Sequence, residues 1–153
     1  MPELQDQAKS AVEKLLQSGE DQLFTELGLR GKAIGADPAV AGHFDPDISY
    51  DAKLAGPMDA LKEFGQRYFD RVNRQVYDLV CGEAKESQED RGKLRSAFDM
   101  DKTTFAAVLA GVLVSSFGWA PAIAAVVAAL VVKLFFRPGY ELACQMWKEK
   151  LPK

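Results

Sequence analysis

Apolar and polar positions keep a helical period along most of this chain, until the polar half of the pattern disappears near the C-terminus. Leu4, Ala8, Ala11, Val12, Leu15 and Leu16 recur every three or four residues. They lay one stripe on a first helix over about 3–17, which Ser18-Gly19 ends. Leu23, Phe24, Leu27 and Leu29 mark a short second helix stopped by Gly28 or Gly31. Pro57 suits a first helical turn, and after it Leu61, Phe64, Tyr68, Val72, Val76, Leu79 and Val80 hold one face while Lys62, Glu63, Arg67, Asp70, Arg71 and Arg74 hold the other. This predicts a long amphipathic helix over 58–82, closed by Gly82.

The intervening segments are less regular. Residues 31–57 crowd Gly, Pro and Asp together and read as an irregular loop, long enough to suggest a binding element or a tether. Residues 83–95 contain almost no large apolar side chain and read as a solvated helix or a link, with Leu94 and Phe98 available to fold it back.

From Thr103 to Val132 the chain runs 30 residues without a formal charge. Asp101 or Thr103 can cap the start of this run, and Gly118-Trp119-Ala120-Pro121 punctuates its middle as a turn between two helices. A bilayer core of about 30 Å takes about 20 helical residues, so each arm is short of a span and the whole exceeds one. The reading is an apolar helical hairpin, about 103–117 and 121–136, ended by Arg137-Pro138-Gly139. A final amphipathic helix follows from Tyr140, with Ala143, Cys144, Met146 and Trp147 on or near its inner face. With no strand alternation and no repeat, the fold class is all-α: one domain over 1–153, a small helical bundle with a C-terminal apolar hairpin. Small residues such as Ala106/Ala110 and Ala124/Ala128 favour close pairing of the two arms. The Ala/Val/Leu-rich hairpin with its Gly- and Pro-containing tip resembles, in type, the apolar hairpin of pore-forming colicins, over about 32 of the 153 residues.

A helix apolar on all sides needs neighbours all round it in water. The remaining helices look too few for that, so part of the hairpin is expected to stay available to lipid or to another subunit. Val112, Phe117, Trp119, Pro121 and Val126 are the candidate contact residues, and Lys133 and Arg137 the cations that would add attraction to an anionic surface. Trp147, beside Lys148 and Lys150, reads as core.

Composition adds one asymmetry. Residues 1–102 carry 14 Lys+Arg against 20 Asp+Glu, whereas 103–153 carry 5 against 2, so the basic excess follows the apolar run. An acidic chain without an aromatic-interleaved basic stripe excludes nucleic acid as a partner.

Candidate chemistry is sparse. Asp45-x-Asp47-x-Ser49-x-Asp51 has the opening spacing of a calcium loop, but Tyr50 stands where the turn needs Gly and Gly56 where it needs Glu. These residues read as turn and cap formers. His43 is the single histidine and lies far in sequence from Cys81 and Cys144, which read as buried free thiols. No phosphate loop, dinucleotide fingerprint or zinc spacing occurs, so neither an enzyme nor a cofactor or metal is expected. The N-terminal residues lack a secretory signal, which points to a cytoplasmic protein, soluble or at the inner membrane. Two functions compete: a non-enzymatic effector or adaptor acting on membranes through its hairpin, and a soluble helical interaction module that buries the hairpin in its own core or in a homo-oligomer.

Overall fold

The computed structural model describes residues 2–46, 48, 57–82 and 88–151. Among these, seven α-helices and one 3-10 turn account for the fold, and no strand is present. In chain order they are α1 (Pro2–Leu15), α2 (Glu20–Ala36), the 3-10 turn (Pro38–Gly42), α3 (Met58–Cys81), α4 (Gln88–Met100), α5 (Lys102–Phe117), α6 (Pro121–Phe135) and α7 (Tyr140–Glu149).

Helix α6 is the axis of the bundle. Every residue from Ala122 to Val132 is buried, and α1, α2, the 3-10 turn, α5 and α7 all pack on it. A helix with no polar side is stable in water only in such surroundings. Its partner α5 is covered by α1, α4 and α6 and leaves Val108, Gly111 and Val114 half-exposed. The expectation that part of the hairpin stays uncovered is therefore corrected for α6, while one edge of α5 and the tip keep partial exposure. Cover comes from segments that looked too polar: the 3-10 turn touches α6, Phe44 is buried, and Leu94, Ala97 and Phe98 of α4 turn inward.

The second correction lies in α2, which runs through Gly28 and Gly31 to Ala36. Neither glycine stops the helix, because both serve packing against α3. A Cβ on Gly28 would fall 2.0 Å from the carbonyl oxygen of Leu61, and one on Gly65 would fall 1.9 Å from that of Phe24. The two helices thus touch backbone to backbone through a reciprocal glycine pair, flanked by the Phe24–Phe69 edge-to-face contact at 5.9 Å. The loop expected over 31–57 accordingly shrinks: 31–36 are helix and 38–42 a 3-10 turn, while 47, 49–56 lie outside the described residues.

The close approach also rotates α3 relative to expectation. Its buried line is Leu61, Gly65, Phe69, Asn73, Val76, Leu79 and Val80, with Phe64, Tyr68 and Val72 at the edge. Burial raises the Tyr68 phenol above its ordinary range. Helix α1 buries Ala8, Ala11, Val12 and Leu15 as its stripe requires, while the side chain of Leu4 lies outside the described part. The solvated segment after α3 is helix from Gln88, and residues 83–87 lie outside the described part.

Candidate functional site

The hairpin was the feature singled out for function, and each of its ends is built differently. At the N-terminal end, the Asp101 carboxylate accepts from the Thr104 amide at 2.7 Å and from its hydroxyl at 3.1 Å. These bonds cap α5, and the Thr104 amide bond foremost holds the Asp101 carboxyl below its usual range.

At the tip, Gly118 takes a left-handed conformation, φ 71°, and its amide reaches the Val114 carbonyl while that of Trp119 reaches Leu113. Glycine adopts this geometry without a Cβ penalty, which turns the chain out of α5, and Pro121 then starts α6. Ser115, Ser116 and Gly118 are exposed, and Phe117, Trp119 and Pro121 are half-buried against the core. Val112 and Val126 are not at the surface at all: both are core residues, closed to a membrane or a partner unless the bundle opens.

Lys133 and Arg137 sit at the opposite end of α6 from the tip, about 20 Å away along a helix rising 1.5 Å per residue. The cations and Trp119 therefore lie at different ends of the hairpin arm. Lys133 is half-buried, and the exposed Arg137 donates to its neighbour's carbonyl, that of Phe136.

The tip is held from below by a residue that the sequence reading passed over. Arg30 of α2 is buried, and its Nη1 donates to the carbonyls of Phe44 at 2.8 Å and Ala122 at 2.9 Å. Its Nε donates to Glu26 Oε1 at 2.8 Å, and Asp45 approaches its other terminal nitrogen at 3.7 Å. One guanidinium therefore joins α2, the segment after the 3-10 turn and the first turn of α6, a task suited to its rigid fork of donors. The signal was legible, since Arg30 falls in phase with Leu23 and Leu27, where a charged residue must find buried partners.

At the far end, α7 lies over α6 and α3. Trp147 is 2% exposed, stacks on Phe135 with ring centroids 4.7 Å apart, and donates from Nε1 to Asn73 Oδ1 at 2.7 Å. Asn73 is a second polar residue in phase with an apolar stripe, and it has its partner. The Tyr140 hydroxyl donates to the Val80 carbonyl, the Tyr140 ring meets Phe98, and Arg95 lies over its face. Burial raises the Tyr140 phenol, an effect that the nearby Arg91 and Arg95 oppose.

The two cysteines are not free thiols, which corrects the reading from sequence. Cys81, the last residue of α3, is bridged to Cys144 on α7 across 63 residues, with Cα atoms 5.7 Å apart. A separation of that length carries no local pattern, and only the docking of α7 reveals the pair.

His43 follows the 3-10 turn and is exposed. Asp45 pairs with Lys14 at 2.9 Å as well as approaching Arg30, and Asp47, Ser49 and Asp51 lie outside the described residues. Among the described residues no cluster of His, Cys, Asp or Glu has the arrangement of a metal site. No single helix there is long and apolar enough to cross a membrane; α6 and α7 together have the length and composition, but they bend by 97° at their junction. No protein-family model, curated protein or solved structure matches the chain.

Proposed function

We propose that this is a non-enzymatic helical interaction module that keeps its apolar hairpin as its own core. The observation that carries the reading is the burial of α6 from Ala122 to Val132 beneath four other helices and the 3-10 turn. A helix so enclosed gains its stability from the bundle and needs no lipid. Binding to a protein partner then falls to the outer faces of the surrounding helices and to the half-exposed tip. The bridge supports an oxidising compartment in place of the cytoplasm, because structural disulfides persist there and are reduced in the cytosol.

The test is to measure mass in solution and flotation with vesicles on the same oxidised sample. A detergent-free particle of defined mass that stays off anionic and neutral vesicles is the expected result. Flotation of wild type that is lost on Trp119→Ser would replace this reading with a second one, membrane docking through the tip, which the half-exposed Phe117, Trp119 and Pro121 favour. Aspartate at Val112 or Val126 does not discriminate between them, since a charge at either buried position unfolds the bundle.

A further inference from the structure

We propose that the Cys81–Cys144 bridge is a redox latch on α7: its reduction releases that helix and uncovers the aromatic end of the hairpin while α1, α2 and α6 stay packed. The inference concerns regulation and does not depend on which partner the protein takes.

Helix α7 has ten residues, a length that is marginal for a free helix in water. Its inward face buries only Ala143 and Trp147, whereas Leu142 on the outside is 59% exposed. Its further contacts include the Trp147 bond to Asn73, the Tyr140 bond to Val80, ring contacts with Phe98, Phe135 and Tyr77, Arg95 over the Tyr140 ring, and Met146 against the core. A short exposed connector precedes it, Arg137-Pro138-Gly139, with Gly139 at φ 91°. The bridge adds a covalent tie between the end of α3 and the middle of this short helix. By contrast, the packing of α6 against α1, α2 and α5 involves neither cysteine.

The sulfurs are within reach of a reductant. Both cysteines are half-buried, and they border an open groove with Gln88, Arg91, Arg95 and Glu141. A dithiol supplies the electrons. Its thiolate attacks one sulfur of the bridge, the Cys81–Cys144 bond breaks with the electron pair leaving on the other sulfur, and a mixed disulfide forms. The second thiol of the reductant then resolves that intermediate. The bridge gains two electrons and two protons, and the reductant leaves as its cyclic disulfide.

Opening α7 exposes Phe98 and Phe135, which Tyr140 and Trp147 cover in the closed state. The experiment treats the intact chain with dithiothreitol, counts two thiols by alkylation and mass, and follows amide exchange by mass spectrometry. Exchange over 140–149 is expected to quicken at least tenfold with 121–135 unchanged, and emission of an apolar-surface dye to rise. Cys81→Ser/Cys144→Ser is expected to show the same pattern without reductant. Unchanged exchange over 140–149 in protein with two counted thiols would overturn the latch, and so would equal acceleration in every helix, which would make the bridge a staple of the whole bundle.

Discussion

Replacing Gly65 with alanine tests the α2–α3 contact more directly than any truncation. Alanine is the better helix former by about 1 kcal/mol, so helix propensity alone predicts stabilisation. The structure predicts the reverse. The added methyl carbon would sit 1.9 Å from the Phe24 carbonyl oxygen, 2.9 Å from its carbon and 3.1 Å from the Gly28 nitrogen, all of them backbone atoms unable to rotate away. Relief needs the helices to part by about 1–1.5 Å, since favourable non-bonded contact begins near 3.5 Å. A gap of 0.5–1 Å already forfeits about a quarter to a half of each dispersion contact, and overpacking of this kind costs about 1–3 kcal/mol or more. Net of propensity, about 1–2 kcal/mol of stability should be lost, lowering Tm by about 2–8 °C. Gly111→Ala is the internal control: the same substitution, within α5, has open space around the new carbon and should stabilise by about 0.5–1 kcal/mol. Urea unfolding of the three proteins decides the matter. A Gly65→Ala protein as stable as wild type would refute the backbone-to-backbone contact.

Arg30→Met removes the donors to the Phe44 and Ala122 carbonyls and should cost about 2–4 kcal/mol by urea unfolding, at about 1–3 kcal/mol per unsatisfied buried group. Arg30→Lys should recover little, because a single ammonium does not span acceptors on three segments. Asn73→Ala leaves the Trp147 indole N–H without its acceptor and should cost about 1–3 kcal/mol, with a change in the near-ultraviolet circular dichroism of that indole. The depressed Asp101 carboxyl contributes stability that is present above its unfolded pKa of about 4 and is lost as pH falls through the lower folded value. Asp101→Ala should therefore lower Tm at pH 7 and flatten its decline in acid, as read by thermal melts from pH 2 to 7.

Periodicity carried most of the fold. It located α1, α3, both hairpin arms and α7, since each presents an apolar stripe or an unbroken apolar run. The turn at Gly118–Pro121 was legible because left-handed glycine and helix-starting proline have fixed backbone meanings. What failed was the meaning of Gly28 and Gly31. A glycine that ends a helix and one that admits a neighbouring backbone look alike until Gly65 is placed opposite. The same missing partner hides the rotation of α3, whose buried line includes a residue with no side chain at all. For the candidate site, chain order suggests that Lys133 flanks Trp119, but the helix puts them at opposite ends of α6. Arg30 and Asn73 could have been found as polar residues in phase with apolar stripes; Cys81 and Cys144 could not, because 63 residues separate them.

The axis of the bundle, α6, lies in the last quarter of the chain, and this sets the order of events during synthesis. Helix α2 meets its main partner, α3, soon after it is made, but α1 packs chiefly on α5 and then on α6, neither of which yet exists. The core around α6 closes only once Pro121–Phe135 has been made. Until then the nascent chain carries unsatisfied apolar surface, which invites aggregation and chaperone capture. Closure of the core is then the last step, with α1 waiting on α5 and α6.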